Sequence, residues 1–177
     1  MLYAVRCPSP VGELTLAGDE KAIVGLWLEG QKYFGSGLPT PVPGETPPLA
    51  AGRAWLEDYF AGRRPALSRL TLAPRGSPFA RLVWQCLTEI PYGQVTTYGA
   101  LAGEVARRLG RTSMSPQAVG GAVGHNPISI VIPCHRVVGA DGSLTGYAGG
   151  IARKRQLLEL EGVDCTRLYV PHRGTAL

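Results

Sequence analysis

The stretch from Pro127 to Val138 places the tightest constraint on how this chain can fold. It begins with an apolar run between two prolines, Pro127 and Pro133, that reads Ile-Ser-Ile-Val-Ile. A run rich in branched aliphatic residues is typical of a buried extended segment, and a proline directly after it favours a turn. Cysteine, histidine and arginine follow at positions 134 to 136. We interpret Cys134 as a nucleophile that the buried run presents.

A cysteine attacks electrophiles as its thiolate, and a nearby cation or hydrogen-bond partner lowers its pKa. His135 and Arg136 are the local candidates, and we expect the imidazole to keep the sulfur anionic at neutral pH. Adjacent residues of an extended segment point to opposite faces, so His135 reaches Cys134 only if a turn starts at Pro133. The alternative is an inert core cysteine, because free cysteine is among the most buried residue types.

Composition narrows the class of protein without deciding it. The chain has 177 residues, of which 45% are hydrophobic, enough for one sizeable domain or two small ones. Its 18 basic and 13 acidic residues give a net charge of +5, which suits a polyanionic partner but does not require one. The four cysteines form no C-x-x-C pair and the three histidines are scattered, so we predict neither disulfides nor a metal site. The absence of a signal sequence and of a long apolar run favours a reducing intracellular compartment.

The N-terminal part reads as a small antiparallel sheet covered by one helix. Strands are predicted at 2–7, 12–18 and 22–28, followed by a surface loop from 31 to 48. Thr46 and Pro47 are typical of a helix start, and apolar residues at helical spacing continue to Gly62. We find no chemistry in this part and interpret it as a scaffold.

The C-terminal part reads as mainly helical after a connector at 63–76. Ser77 and Pro78 predict the start of one helix, and another is expected at about 99–109. A third follows Ser115 and Pro116, and a fourth is expected at about 151–161. Residues 163–177 read as a tail.

The third of these helices, Gln117 to Gly124, has almost no side-chain bulk. It contains three glycines, each costing an isolated helix about 1 kcal/mol relative to alanine. Close approach of another backbone would offset that cost. A helix, a short turn and a smooth second helix outline a helix-turn-helix that lies against DNA, although a tightly packed internal helix has the same pattern.

Glu161 lies at the end of the last helix, where a carboxylate opposes the helix dipole. At the end of an apolar stripe it would also lose solvation, so we expect it to have a partner. The alternative is a solvent-facing glutamate before a Gly162 C-cap.

Taken together, these motifs resemble one known family. Pro133-Cys134-His135-Arg136-Val137, preceded by Asn126-Pro127 and followed by Gly146-Tyr147-Ala148-Gly149-Gly150 and Glu161-Gly162, is similar to the O6-alkylguanine-DNA alkyltransferases. The resemblance is strong from about Ser77 to Gly162 and looser before it, through Ser9-Pro10-Val11-Gly12 and Leu14-Thr15-Leu16. It implies an α/β (α+β) protein with a ribonuclease-H-like domain at 1–72. A helix-turn-helix, winged-helix-like domain with linker and tail is implied at 73–177.

The resemblance also implies the roles of the site residues. Cys134 would accept the alkyl group, His135 would take its proton through a water, and Glu161 would hold the imidazole. Asn126 would tie the recognition helix to the active-site loop. The implied base pocket has Tyr98, which could donate a proton to the leaving guanine, and Tyr147 on its other side, with backbone groups of Cys134, Val137 and Ala148 reading the purine edge.

For DNA, the resemblance implies a recognition helix in the minor groove, an arrangement that suits smooth contact. The residues expected to face DNA are Gln117, Ala118, Gly121, Ala122, Arg111 and Arg136. Gln117 stands where better-known members carry an intercalating arginine, and the connector before this helix is longer. We hypothesise that Arg107, Arg108 and Arg111 supply phosphate contacts that offset the missing charge, whereas Arg136 is either structural or phosphate-facing.

The implied activity is irreversible transfer of an alkyl group from O6-alkylguanine in double-stranded DNA to Cys134, once per molecule and without a cofactor. We expect a cytoplasmic monomer with no membrane association, and leave cooperative binding along DNA open. Three alternatives are weighed against this function. They are a lesion binder that lacks the acceptor cysteine, a helix-turn-helix transcription factor, and a cysteine hydrolase, which would turn over many times.

Overall fold

The computed structural model describes residues 1–170. Part of the predicted tail, 171–177, therefore lies outside the described residues. The chain forms two compact units, one of Met1–Arg75 with Pro127–Val131, the other of Gly76–Asn126 with the residues from Ile132 onward. The sequence placed 127–131 in the second unit, and the structure corrects this assignment.

The first unit is a four-stranded sheet covered by a helix. The strands β1 (Tyr3–Cys7), β2 (Leu14–Gly18) and β3 (Ile23–Leu28) are antiparallel neighbours, and the short β4 (Val42–Pro43) pairs parallel with β1. The sequence analysis missed β4 and assigned its residues to the loop at 31–48, because a strand of two residues is too short to show a periodic pattern. The helix α1 (Pro47–Phe60) packs tightly on the sheet. A Cβ on its Gly52 would come within 2.8 Å of Leu16.

The segment Pro127–Val131 belongs to the first unit and is hydrogen-bonded to β3 at Leu26. The Leu26 amide donates to the Pro127 carbonyl, and the Ser129 amide donates to the Leu26 carbonyl, both at 2.9 Å. Buried backbone groups need such partners. Only Ile128 of this segment forms a β-bridge, to Leu26, and the next three residues form a turn, so the extended run predicted from the sequence is not a strand. Ile130 lies in this segment with φ of 70°, an uncommon conformation for a β-branched residue.

The second unit is built mainly from helices. These are α2 (Pro78–Thr88), α3 (Tyr98–Arg108), α4 (Pro116–Gly124) and α5 (Ile151–Leu160). The first three begin at Ser77, Thr97 and Ser115, whose side chains each accept a hydrogen bond from a backbone amide in the first turn. Two short strands, β5 (Thr96–Thr97) and β6 (Val137–Val138), pair in parallel.

The indole of Trp84 joins α2 to α4, donating to the Ala122 carbonyl at 2.8 Å. The structure also contains both helices of the predicted helix-turn-helix, as α3 and α4. Within the described residues, none of the helices combines the length and apolar character needed to cross a membrane.

Candidate active site and nucleic-acid interface

A short 3-10 turn, Cys134–Arg136, carries the predicted nucleophile. The Arg136 amide closes the turn by donating to the Pro133 carbonyl at 3.0 Å. The turn predicted at Pro133 is therefore present, and it directly precedes β6. Cys134 is only 4% exposed.

The Glu161 carboxylate binds two neighbouring side chains of this turn. Its Oε2 is hydrogen-bonded to His135 Nε2, and its Oε1 accepts from Arg136 Nε at 2.7 Å. Arg136 also donates to the Ile90 carbonyl at 2.6 Å. All three side chains are buried. The partner expected for Glu161 is present, and the solvent-facing alternative is wrong.

Burial by itself would raise the pKa of Glu161, but the hydrogen bond from His135 and the hydrogen bond and charge of Arg136 outweigh it and lower the pKa to about 2. Burial lowers the pKa of His135 in spite of its hydrogen bond to Glu161, so the imidazole is neutral at neutral pH. A neutral ring that faces a carboxylate carries its proton there. We therefore assign the proton to Nε2, which leaves Nδ1 as an acceptor.

Burial also raises the pKa of the Cys134 thiol, and the opposing hydrogen bond from Asn126 and charge of Lys154 do not reverse the shift. The expectation of an anionic sulfur at neutral pH is therefore wrong for the free protein. Desolvation disfavours the thiolate more than its polar neighbours favour it. The resting nucleophile is a neutral thiol that must lose its proton during the reaction.

Asn126 follows α4 directly and holds the loop before the nucleophile. Its side-chain amide donates to the Ile132 carbonyl at 2.7 Å, two residues before Cys134. This contact joins the end of α4 to the active-site turn, as the family resemblance implied.

The sequence-based interpretation missed the role of Lys154. This lysine is fully buried, and its ammonium group donates to the Val137 carbonyl and, at 2.7 Å, to the Thr145 carbonyl. Burial lowers its pKa to about 8. The available signal was a lysine in the apolar stripe of α5, between Ile151 and Leu157.

The Tyr98 hydroxyl lies at the loop that follows β6. It donates to the Thr145 carbonyl at 3.1 Å, and burial raises its pKa. Gly146 has φ of 82°, and a Cβ there would collide with the Tyr98 hydroxyl. This loop and Tyr98 therefore pack directly against each other.

The other predicted pocket residues lie close by in the chain but differ in access. Tyr147 is 1% exposed and Ala148 is half-buried. The Val137 amide already donates to the Cys134 carbonyl, and its own carbonyl accepts from Lys154. A guanine base could therefore form a hydrogen bond to Val137 only through the remaining lone pair of its carbonyl oxygen, unless one of these existing hydrogen bonds were broken.

A cavity of about 440 Å³ opens between Tyr98, the loop after β6 and the exposed face of α4. Its lining residues are Tyr98, Pro116, Gln117, Gly120, Gly121, Gly124, Thr145 and Gly146. Pockets for small ligands are typically of this size. An opening was expected at Cys134 beside both Tyr98 and Tyr147. The cavity reaches Tyr98, but neither Tyr147 nor Cys134 is among its lining residues, and both are buried.

The exposed face of α4 includes Gln117, Ala118 and Gly121, as predicted. A Cβ on Gly121 or Gly124 would meet nothing within 4 Å, so packing in the free protein does not require either glycine. A tightly packed internal helix does not explain these two positions. The smooth face is open to a partner from outside.

Two residues predicted to face DNA do not. Ala122 is buried on the side of α4 that Trp84 contacts. Arg136 is buried and bound to Glu161 and Ile90, so its role in the free protein is structural. Ala122 faces the core because the helical period places it on the same face of α4 as the buried Val119 and Val123.

Carboxylates already bind two of the three connector arginines. Arg107 pairs with Glu104 at 2.6 Å, and Arg108 binds Glu104 at 2.7 Å and also Glu89. Arg111 is exposed and lines a shallow cavity together with Phe79 and Met114. The hypothesis of three phosphate-binding arginines therefore narrows to Arg111. In the described part of the chain, no three His, Cys, Asp or Glu residues are grouped to hold a metal ion.

Comparisons with known proteins agree with this architecture. The family profile described as 6-O-methylguanine DNA methyltransferase, ribonuclease-like domain, matches residues 1–74, and the profile of the DNA binding domain matches 78–163. The methylated-DNA–protein-cysteine methyltransferase of Haemophilus influenzae is 41% identical over 165 residues, which cover 92% of this chain and 87% of that protein.

The protein of the same name from Mycobacterium tuberculosis is 44% identical over 162 residues, which cover 91% of this chain and 93% of that protein. The crystal structure of Mycobacterium tuberculosis OGT in complex with DNA superposes with a TM-score of 0.70 at 39% identity and covers 94% of each chain. These matches span both units and confirm the α+β class. The chain belongs to the 6-O-methylguanine DNA methyltransferase family.

Proposed function

We propose that this protein repairs DNA by taking the alkyl group from O6-alkylguanine in double-stranded DNA onto Cys134, once per molecule. The observation that carries the proposal is the buried array of Cys134, His135 and Glu161, in a unit whose cavity opens along the smooth face of α4. The names of the relatives and the DNA complex of the Mycobacterium tuberculosis protein support the same chemistry.

In the proposed reaction the Cys134 sulfur forms a bond to the alkyl carbon as the bond from that carbon to guanine O6 breaks. The electron pair of the broken bond passes to O6, and a protonated guanine ring nitrogen completes the product. The thiol proton passes through a water to His135 Nδ1, and Glu161 stabilises the resulting imidazolium. The Tyr98 hydroxyl supplies the proton to the leaving base.

A neutral resting thiol fits this sequence of events. The buried Cys134 is unreactive towards electrophiles in general, because the thiolate is the attacking species. Ionisation is then coupled to the arrival of a base whose developing negative charge can be protonated by Tyr98. The product is a thioether, which nothing in the chain can cleave, so each molecule acts once.

Access to the thiol requires the alkylated base to leave the DNA stack, which costs a few kcal/mol. We propose that the cavity beside Tyr98 receives it and that Tyr98 exchanges its bond to Thr145 for one to the base. Gln117 lies at the rim of this cavity and would fill the gap in the duplex. Glutamine has no charge and less stacking area than arginine, so Arg111 compensates through phosphate contact.

Intact-protein mass spectrometry after incubation with duplex DNA that carries O6-methylguanine tests the function. We expect a gain of one methyl group per molecule and no further turnover. Cys134→Ser should show no gain, whereas Cys165→Ser, which removes another buried free cysteine, should retain it. Release of many product molecules per protein would favour the cysteine hydrolase instead. A monomeric state and a cytoplasmic location stay predictions from the sequence, and cooperative binding stays open.

A further inference from the structure

Two buried side-chain atoms of the described residues have no hydrogen-bond partner, and both belong to the active site. They are Nδ1 of His135 and the hydroxyl of Tyr147. Buried polar groups are almost always hydrogen-bonded, to protein or to an ordered water, and each exception calls for an explanation. The Tyr147 hydroxyl has no role yet in the proposed reaction.

The two atoms are chemically complementary. His135 carries its proton on Nε2 towards Glu161, so Nδ1 offers a lone pair and needs a donor. The Tyr147 hydroxyl can donate or accept. A direct bond between them would satisfy both, but there is none. A single water placed between them would satisfy both atoms, since buried waters typically make about three hydrogen bonds.

The third partner of such a water is the nucleophile. Cys134 precedes His135 in the same tight turn. Tyr147 is buried in the loop after β6, two residues from Thr145, whose carbonyl shares the Lys154 ammonium group with the Val137 carbonyl. Val137 directly follows the turn that carries Cys134 and His135, so this loop and the turn lie side by side. Burial also raises the pKa of the Tyr147 hydroxyl. A water there accepts from the thiol and donates to both His135 Nδ1 and the Tyr147 oxygen.

We propose that Tyr147 is a positioning residue for proton transfer, whose hydroxyl holds, together with His135 Nδ1, the water through which Cys134 loses its proton. The inference rests on the proposed alkyl transfer and adds a step to it. The thiol proton moves to the water as one water proton moves to Nδ1. The water is therefore regenerated, the sulfur becomes a thiolate, and the imidazolium pairs with Glu161. Tyr147 keeps its own proton throughout.

Tyr147→Phe tests the proposal because it keeps the buried aromatic ring and removes only the hydroxyl. Single-turnover transfer from methylguanine DNA should be measured at saturating DNA between pH 6 and 9. We expect the rate at neutral pH to fall by about tenfold or more, within the range that proton transfer contributes to catalysis. The rise of rate with pH should move to higher pH, whereas DNA affinity should stay within about twofold.

The comparison of pH profiles must allow for the other groups around the relay, which are Cys134, His135, Glu161, Lys154, Arg153 and Tyr98. All are shared by both proteins, so a shifted profile reports the lost hydroxyl. Tyr169→Phe is the matched control, because it removes a hydroxyl bound to Asp141 in the same unit. We expect that control to transfer at the rate of the unsubstituted protein.

An unaltered rate and pH profile in Tyr147→Phe would overturn the proposal while leaving the alkyl transfer itself intact. A second measurement does not depend on the variant folding. In the unsubstituted protein, the nitrogen NMR shift of His135 Nδ1 should be that of an acceptor in a hydrogen bond. The shift of an unbonded nitrogen would also overturn the proposal. Failure of the unsubstituted protein to gain a methyl group would instead reject the proposed function.

Discussion

At the scale of single residues, the active site depends on one carboxylate that serves two side chains. Glu161 orients the His135 imidazole with one oxygen and neutralises Arg136 with the other. Removing one partner of a buried ion pair is strongly destabilising, because the remaining charge is left uncompensated. The residue that supports the nucleophile is therefore also a structural requirement of the second unit.

Glu161→Gln should lower the free energy of unfolding by about 3–5 kcal/mol, since Arg136 would stay buried without its counter-charge. Urea denaturation measures this loss. The control is Glu159→Gln, which removes an exposed carboxylate paired with Arg155 and should change stability by less than about 0.5 kcal/mol. Equal stability of the two variants would contradict the structural role of Glu161.

Stability in acid should report the same carboxylate. The folded protein lowers the pKa of Glu161 from 4.5 to about 2, so the stabilisation is complete above about pH 4.5 and is lost as the pH falls towards 2. The shift corresponds to about 3 kcal/mol. In Glu161→Gln this contribution should vanish, which is measured as the difference between the two stability curves. Parallel curves in this range would show that Glu161 titrates normally.

At the scale of secondary structure, α4 gives up helical stability for a smooth surface. Gly121 and Gly124 have open space where a Cβ would lie, so nothing inside the protein explains them. Glycine costs a helix about 1 kcal/mol relative to alanine. We infer that the smooth face is needed when α4 lies against DNA.

Gly121→Ala should therefore have two opposite effects. The free energy of unfolding should rise by about 0.5–1 kcal/mol, because alanine favours the helix and meets no atom. Affinity for duplex DNA should fall about tenfold, as measured by fluorescence anisotropy. The control is Gly103→Ala in α3, which also has open space around the added methyl and should stabilise the protein without weakening DNA binding. If Gly121→Ala binds DNA as tightly as the unsubstituted protein, the smooth face of α4 is not needed for contact with DNA.

The connector between α3 and α4 permits a matched pair of arginine variants. Arg111→Ala should reduce the slope of log affinity against log salt by about one, the expected effect of losing one phosphate contact. Arg108→Ala should leave the slope unchanged, because Glu89 and Glu104 already neutralise Arg108. A change in slope for Arg108→Ala instead would mean that DNA displaces these carboxylates.

At the scale of the whole molecule, the chain leaves the second unit after Asn126 and returns to it at Ile132. The residues in between pair with β3, so the first unit holds the segment from which the active-site turn emerges. Loss of the first unit would leave the buried backbone of this segment without its strand.

A fragment of residues 76–177 tests this dependence. In the full chain the Ser129 amide donates to Leu26 and should exchange slowly with solvent. In the fragment the same amide should exchange rapidly, as measured by hydrogen exchange with mass spectrometry, and alkyl transfer should slow. Slow exchange at Ser129 in the fragment would show that the segment keeps its structure without β3.

Much of this architecture could be predicted from local sequence signals. Ser77 and Ser115 begin helices as predicted, the helix expected at about 99–109 lies at Tyr98–Arg108, and the three N-terminal strands fall within one or two residues of the predicted bounds. Glu161 was recognised as needing a partner because a carboxylate in that position is unfavourable without one. The small side chains of α4 indicated an external surface, and two of its glycines are open in the structure.

The features that the sequence analysis predicted wrongly or missed share a cause. Each depends on contacts between residues that are separated in the sequence. Pairing of Pro127–Val131 with β3, the burial of Arg136 and the contacts of Lys154 all depend on residues far away in the sequence. The protonation of Cys134 depends on how completely its surroundings exclude water. None of these is encoded by spacing within one segment.

From local residue chemistry and helical period, the sequence by itself predicted a cysteine presented after an apolar run, a partner for Glu161, the start of each major helix and the smooth face of α4. The roles of Cys134, His135 and Glu161 were implied by the family resemblance. Tertiary structure decided that the thiol is neutral at rest, that Ile130 adopts a left-handed conformation, and that Arg136 faces inward. Those outcomes depend on burial, and burial is a property of the assembled chain. Free energies of desolvation and of long-range hydrogen bonds are set only once distant segments meet.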